Sequence, residues 1–202
     1  APIHASIVRI GFDRRDSLAI PSESDVREIE MAIRQAKRTT DFLVTGLNYN
    51  WEFSQSQNSM GQVPKGLQML AQAAIDAGSN IVFGSGAHRI LPIQKYKGGY
   101  IFYGTGNFFF QLFEGNEPAG RYGLFPETQA KIRSYIGRSE YFESFLIRVI
   151  LSQGKIFRVD LIPFVLSPEG DPSMANDKQA FWILDFSKKT SKELVTTINI
   201  DE

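Results

Sequence analysis

Residues 41–52, with the sequence DFLVTGLNYNWE, contain the strand on which the fold depends. The apolar run over 42–47 is short and bounded by polar residues, which is typical of a strand buried inside a sheet. Immediately upstream, apolar residues recur every three or four positions over 24–39, and residues 22–25 have the spacing of a capping box. The sequence therefore predicts a helix that leads directly into a buried strand.

The same order of helix and strand follows once more downstream. Pro64 stands where the first turn of a helix tolerates proline, the apolar residues after it share one helical face, and Gly78 is a typical helix stop. Residues 80–83 then form a second short apolar run. Two helix–strand units, with a weaker strand over 5–10 before them, predict an α/β fold with parallel strand pairing.

Beyond residue 88 the pattern changes to antiparallel hairpins and a last helix. We predict, in order, a hairpin of strands 92–96 and 100–103 turning at Gly98 and Gly99, a loop or lid with a short helix over 114–140, a hairpin of strands 145–151 and 156–166 turning at 152–155, and a helix over 177–186 capped by Asn176. Pro163 has no backbone N–H to donate, which predicts that its strand lies at a sheet edge.

The composition excludes several classes of protein. The 202 residues include 22 basic and 22 acidic side chains, no cysteine and two histidines. The lack of cysteine excludes a disulfide scaffold, a Cys-ligated zinc site, a thiol nucleophile and an iron–sulfur cluster. A net charge of zero argues against a nucleic-acid partner. This chain shows no run of ~18 apolar residues that would span a membrane and no targeting segment.

Ligands of an open parallel sheet bind beyond the carboxyl ends of its strands. Three segments of this chain meet that criterion, namely residues 48–52, 84–89 and 104–107. His88 in the second segment is either a metal ligand or general acid, or a loop histidine bonded to the backbone. Arg89 beside it either pairs with an anionic group or is a surface arginine.

The first segment offers polar and aromatic candidates for substrate binding. Asn48 and Asn50 either contact polar groups of a substrate or form a turn, as Asn often does at a strand end. Glu52 is either an acid–base group or a solvated carboxylate. Tyr49 and Trp51 are the aromatic candidates for a pocket wall.

The glycines of the other two segments have two explanations. Ser85 lies between Gly84 and Gly86, and this short turn either cradles an anion with its backbone amides or is an ordinary Gly-rich turn. In residues 104–107 the glycines and Asn107 are expected to serve backbone geometry at a strand end.

In order and spacing, four blocks of the chain resemble the CapA family of poly-γ-glutamate capsule synthesis proteins. Residues 41–52 are similar to the family's aspartate and apolar strand ending in His-Trp-Gly-x-Glu. Residues 75–78 resemble the end of a family helix, and residues 84–92 resemble Gly-His-His-Pro-His-x-x-x-Pro. Residues 98–108 resemble Gly-x-x-Ile-x-Tyr-Ser-Leu-Gly-Asn-Phe.

The resemblance implies the fold of the calcineurin-like metallophosphoesterases. That fold is an α/β, metallophosphoesterase-like sandwich of mixed sheets flanked by helices. The family's domain is longer and begins with a half that supplies several metal-ligating residues. Residues 1–202 are therefore expected to be a single CapA-like domain that corresponds to the C-terminal portion and lacks the N-terminal half.

Departures at the ligand positions limit the metal site that the resemblance implies. Asn48 stands where the family has a strand-end histidine. Ser85 and Gly86 replace its paired histidines, and His88 is the one imidazole kept. A dinuclear hydrolytic centre needs several imidazole and carboxylate ligands. His88 and Asn48 are thus an incomplete catalytic and metal-ligating set. Two expectations stay open, namely that the protein binds a divalent metal (manganese, iron or zinc) and that it binds no cofactor.

Three functions stay open. The resemblance implies a part in making or exporting poly-γ-glutamate or a related capsule polymer. It implies a location at the cell envelope or the extracellular side of the membrane, with capsule-synthesis membrane proteins as partners. The replaced ligands suggest a non-catalytic or altered member of the family. The second function is a metal-dependent hydrolase of a phosphoester or a glutamyl polymer, whose remaining ligands come from the missing half. The third is a module that binds an anionic polymer through Arg89, Lys95 and Lys97.

Overall fold

A five-stranded mixed sheet lies at the centre of the fold. Its strands are β1 (Ala5–Phe12), β2 (Phe42–Tyr49), β3 (Ile81–Ser85), β4 (Ile93–Tyr96) and β5 (Gly99–Phe102). The spatial order is β1-β2-β3-β5-β4, and every neighbouring pair is parallel except β4 with β5. The computed structural model describes residues 5–12, 21–49, 61–110, 113–114, 117–118 and 139–200.

Two helices connect the parallel strands, as the sequence predicts. They are α1 (Glu23–Lys37) and α2 (Lys65–Asp76). The predicted capping box is confirmed, because the Ser22 hydroxyl accepts from the Asp25 amide at 3.2 Å and the Asp25 carboxylate accepts from the Ser22 amide at 3.1 Å. Pro64 stands just before the first residue of α2, at the cap position.

Both helices cover the same face of the central sheet. Leu43 and Val82 point to this face and pack in one buried cluster with Ile33 of α1 and Leu70 of α2. Side chains alternate between the two faces of a strand, so the neighbouring residues point the other way. The helices therefore form one outer layer, and the opposite face needs a different cover.

A second sheet and a third helix provide that cover. They are β8 (Glu143–Ser152), β9 (Lys155–Leu166), β10 (Pro172–Met174) and α3 (Asp177–Ser191). Phe42, Ile81 and Phe102 of the central sheet share a buried cluster with Phe145 of β8 and Ile183 of α3. The protein is thus a mixed α/β fold with two sheets flanked by helices, as expected.

The hairpin between β4 and β5 turns one residue earlier than the sequence predicts. Tyr96 pairs with Gly99, so the two turn residues are Lys97 and Gly98. Both have positive φ values, 46° and 85°, as a two-residue turn between twisted strands requires. The prediction of Gly98 and Gly99 was wrong because Gly99 is the first residue of β5. A Cβ on Gly99 would lie 2.8 Å from the Ile75 side chain.

The prediction that Pro163 marks an edge strand was also wrong. Its strand, β9, is the middle strand of the second sheet, in the order β10-β9-β8. The pairing of β10 with β9 stops at Met174 opposite Phe164. The next residue, Ala175, still donates its amide to the Pro163 carbonyl at 3.3 Å. Because Pro163 has no backbone N–H to donate to β10, the hydrogen-bonded pairing of β9 with β10 ends there.

The predicted lid over 114–140 lies mostly outside the described residues. The described parts near it are two short antiparallel strands, β6 (Phe113–Glu114) and β7 (Glu117–Pro118), and a single 3₁₀ turn at Ser139–Tyr141. The final helix is capped by Asn176 as predicted and continues past residue 186 to Ser191. Within the described ranges, none of the helices has the length and apolar character needed to cross a membrane.

Candidate functional site

The carboxyl ends of β2, β3 and β5 meet at one edge of the central sheet, here called the rim and made of residues 48–49, 85–89 and 104–107. Asn48 pairs in register with Ser85 across β2 and β3. The chain after β3 runs beside the chain after β5 through a bridge between Ile90 and Thr105. The rim therefore brings together the described parts of all three segments that the sequence singles out.

Several sequence candidates lie outside the described residues. They are Asn50, Trp51 and Glu52. Their roles stay predictions from sequence.

Gly86 has a backbone conformation that fixes the shape of the rim. Its φ is 97°, in the left-handed region that favours glycine. A Cβ at this position would collide with the main-chain carbonyl of Tyr49 and would lie 3.1 Å from the side-chain oxygen of Asn48. The Asn48 amide therefore lies directly over the turn. Because of this contact, the backbone leaves no room for a side chain where the resembled family has a histidine.

Tyr49 supports the rim from below instead of lining a pocket. Its side chain is 5% exposed and belongs to the core cluster under the helices. The hydroxyl donates to the main-chain carbonyl of Tyr103 at 2.5 Å. Burial raises the pKa of this hydroxyl above its ordinary value, and the positive charge of Arg89 offsets part of that rise. Tyr49 is therefore a neutral hydrogen-bond donor at neutral pH.

His88 is exposed at the rim and has an unusual backbone conformation. Its φ is 54°, which is uncommon for a residue other than glycine. The ring Nδ1 lies 2.8 Å from Oδ1 of Asn107, and the ring centroid lies 5.3 Å from that of Phe110. The imidazole is thus held by a side chain from the segment after β5.

The sequence did not predict the contact between Asn107 and His88. Its side chain was expected to serve strand-end geometry, whereas it is buried and reaches the His88 ring. The signal was present in the sequence, since an amide side chain follows Gly106 in the third strand-end segment. Because β3 and β5 pair in parallel, the segment that contains Asn107 lies beside His88, where the amide reaches the imidazole ring.

Arg89 is half-buried at the rim and lies close enough to Tyr49 to influence its pKa. The two lysines proposed with it as a polymer-binding set lie elsewhere. Lys97, in the turn before β5, forms an ion pair with Asp76 at 2.7 Å. Lys95 lies over the Tyr100 ring at 5.7 Å. At ~3.3 Å per residue, these positions are about 15–20 Å along the sheet from the rim, so the structure does not bring the three cations together.

The rim residues do not fit a dinuclear metal centre. In the part of the chain that the structure describes, no three His, Cys, Asp or Glu side chains gather closely enough to hold a metal ion. His88 offers one imidazole and Asn48 one amide oxygen, while Ser85 is a weak ligand and Gly86 has no side chain. Two metal ions with an activated water require a larger set of ligands.

The rim does offer hydrogen-bonding groups of both kinds. Asn48 and Ser85 are exposed and supply an amide and a hydroxyl side by side. His88 and Arg89 add an imidazole and a cation at the end of β3. Such a set has the chemistry to bind carboxylate and amide groups, because amides and imidazoles donate or accept hydrogen bonds while a guanidinium donates to anions.

Comparisons with known proteins identify the same family that the strand-end motifs resemble. The family model described as bacterial capsule synthesis protein PGA_cap matches residues 5–112, which include β1 to β5 and the whole rim. A PGA biosynthesis protein CapA from Bacillus subtilis (strain 168) is 35% identical over 78 residues, which are 39% of this chain and 19% of that protein.

Two further relatives cover more of the chain. The uncharacterized proteins y4sH and y4uA of Sinorhizobium fredii (strain NBRC 101917 / NGR234) are each 26% identical over 205 aligned residues, covering 88% of this chain and 43% of each relative. The chain thus spans less than half the length of the curated relatives it matches.

Proposed function

The chain belongs to the PGA_cap family of bacterial capsule synthesis proteins, and from that membership we propose that it takes part in making or exporting poly-γ-glutamate or a related capsule polymer. In this proposal the rim binds the polymer or positions it, and it does not hydrolyse it with a metal centre of its own. In this proposal the protein acts at the cell envelope, with capsule-synthesis membrane proteins as its partners.

The conformation of Gly86 supports the proposal that the rim is not a metal-dependent catalytic centre. Its φ of 97° and the contact with the Tyr49 carbonyl exclude a side chain at that position. At the position of Gly86 the resembled family has one of its paired histidines. Since the backbone itself has adapted to glycine, the replacement is built into the fold of the rim and is more than a surface change.

The chemistry of the rim suits a γ-glutamyl polymer. Each repeat of such a polymer carries one carboxylate and one amide group. Arg89 brings a positive charge to the rim that attracts a carboxylate, and Asn48 and His88 supply groups that hydrogen-bond amides. The proposal therefore assigns Arg89 to charge recognition and the other two to the polymer backbone.

A complementation experiment tests the proposal. Deleting the gene in the organism that encodes it is expected to reduce the capsule polymer, measured as glutamate released by acid hydrolysis of the purified capsule. The wild-type gene is expected to restore it, and so is a His88→Gln variant to within about twofold, because glutamine keeps a hydrogen-bonding side chain while removing the imidazole. Full restoration by wild type with none by His88→Gln contradicts a non-catalytic role, and an unchanged capsule after deletion contradicts the capsule function itself.

A metal-dependent hydrolase of a phosphoester or glutamyl polymer is the second candidate, and the geometry of His88 favours it. The ring is anchored through Nδ1, as metal-binding histidines commonly are. The missing ligands would come from residues outside the described ranges or from the rest of a longer protein. A tightly bound manganese, iron or zinc ion that elemental analysis detects in the full-length protein, and that His88→Ala removes, would support this candidate over the first.

A further inference from the structure

We propose that Asn107 is a positioning residue that locks the neutral His88 ring in the tautomer with the proton on Nδ1, so that Nε2 is the acceptor at the rim. This inference deepens the proposed function, because it names what the imidazole offers to a bound ligand. It rests on three observations, which concern the orientation of the Asn107 amide, its burial and the backbone of His88.

The orientation of the Asn107 amide follows from its other contacts. One end of the amide lies 2.9 Å from the main-chain carbonyl of Tyr141 and 3.5 Å from that of His88. Carbonyl oxygens only accept hydrogen bonds, so the end that faces them must be the NH₂ group. The opposite end, which faces the His88 ring, is therefore the carbonyl oxygen Oδ1.

The orientation of the amide decides the protonation of the ring. Oδ1 of Asn107 lies 2.8 Å from Nδ1 of His88 and has no proton to give. The hydrogen bond therefore exists only if Nδ1 carries the proton. In a neutral imidazole the other nitrogen is then unprotonated, so Nε2 is an acceptor for an amide N–H of a polymer or an electron-pair donor for a cation.

Burial and backbone geometry make this arrangement fixed. Asn107 is 9% exposed, so water competes little for its oxygen. The His88 ring also packs against Phe110, whose ring in turn stacks on Tyr141 at 6.1 Å. The left-handed backbone of His88, with φ of 54°, is held where the Asn107 amide reaches both its carbonyl and its ring. Unusual backbone conformations of this kind persist when the surroundings over-determine them.

Nitrogen-15 NMR of the imidazole rings tests the inference on the chain itself. The protein has two histidines, so a His88→Gln variant identifies the signals of His88 by their loss. At a pH where the ring is neutral, the wild type is expected to show Nδ1 as the proton-bearing nitrogen, upfield of Nε2. A wild-type ring with Nε2 as the main protonated nitrogen overturns the inference without any variant.

Two variants at Asn107 separate the hydrogen bond from packing. Asn107→Asp keeps an acceptor opposite Nδ1 and is expected to keep the wild-type order of the two nitrogen shifts. Asn107→Leu has a similar size and no acceptor, and the order is expected to reverse or average. If Asn107→Leu is folded and keeps the wild-type order, Asn107 is not the cause. The tautomer is measured without polymer, metal or capsule, so its failure is separate from failure of the complementation experiment.

Discussion

The Tyr49 hydroxyl donates to the main-chain carbonyl of Tyr103 at 2.5 Å and thereby ties β2 to the end of β5 across the intervening strand β3. Gly84 of β3 makes this crossing feasible, since a Cβ there would lie 2.9 Å from the Tyr49 ring and would collide with the Tyr103 carbonyl. Three strand ends of the rim are thus fixed relative to one another by one buried hydrogen bond and one missing side chain.

Removing that hydrogen bond should lower stability. Tyr49→Phe keeps the ring but leaves the buried Tyr103 carbonyl without this donor, which is expected to cost about 1–3 kcal/mol in free energy of unfolding. Urea denaturation followed by circular dichroism measures the loss. The matched control is Tyr100→Phe, at a half-buried ring on the other face of the sheet, with an expected loss within about 0.5 kcal/mol. Equal losses in the two variants would contradict a special role for the Tyr49 hydroxyl.

Alkaline pH should destabilise the fold through the same residues. Burial raises the pKa values of the Tyr49 and Tyr103 hydroxyls, whereas in the unfolded chain they ionise near the ordinary value of about 10. Their contribution is complete below that pH. Above it the unfolded state loses protons that the folded state keeps, so stability falls by up to about 1.4 kcal/mol per pH unit for each group.

Phenylalanine variants measure each tyrosine's share of this slope. Tyr49→Phe and Tyr103→Phe are each expected to give a shallower fall in the free energy of unfolding above pH 10. Phe102→Leu is the control, because it lowers stability in the core without removing a phenol. If both tyrosine variants keep the wild-type slope, the buried phenols do not cause the alkaline loss.

Restoring the histidine at position 86 should fail to create a metal site. Gly86→His places a Cβ against the Tyr49 carbonyl at a φ of 97°, and we expect the melting temperature to fall by several degrees, as a loss of about 1–3 kcal/mol would produce. Ser85→His is the control, since Ser85 is exposed on an ordinary strand. Differential scanning calorimetry and zinc titration of both variants check this. A stable Gly86→His protein that binds zinc tightly would show that the rim backbone adapts.

The fold was more predictable from sequence than the site, and particular residues show why. Local patterns determine elements, so the capping box at Ser22 and the strand after residue 41 were readable without a structure. Strand neighbours depend on distant segments, and for this reason Pro163 was misplaced at an edge. The contact between His88 and Asn107 joins two strand ends, 19 positions apart in the chain. Its partners were visible in the sequence, whereas the orientation of the amide requires coordinates.

Asn80 should be important for stability at the opposite edge of the central sheet. Its side-chain oxygen accepts from the Leu43 amide at 2.9 Å and from Lys37 at 3.1 Å, linking α1, β2 and β3. Asn80→Ala removes both bonds and is expected to cost about 1–3 kcal/mol in urea denaturation. Asn80→Asp keeps the acceptor beside a cation, so its loss should be less than half as large at pH 7. A larger loss for Asn80→Asp than for Asn80→Ala would contradict the assignment of the acceptor role.

Binding of an anionic polymer should distinguish the rim from the opposite edge. Arg89→Gln and Lys97→Gln each remove one positive charge, so they change the net charge equally. Arg89 lies at the rim, whereas Lys97 lies far from it in the turn between β4 and β5, where it pairs with Asp76 at 2.7 Å. We expect Arg89→Gln to weaken binding of poly-γ-glutamate roughly fivefold, about 1 kcal/mol, and Lys97→Gln to change it by less than about twofold.

Isothermal titration calorimetry at two salt concentrations measures both affinities and their electrostatic part, because screening weakens exposed charge interactions. Polyaspartate is the control polymer, since it carries carboxylates on a different backbone spacing. Weaker binding by Lys97→Gln than by Arg89→Gln would place the polymer at the turn between β4 and β5, away from His88. The rim would then have no part in holding the polymer, and the assignment of Arg89 to charge recognition would be wrong.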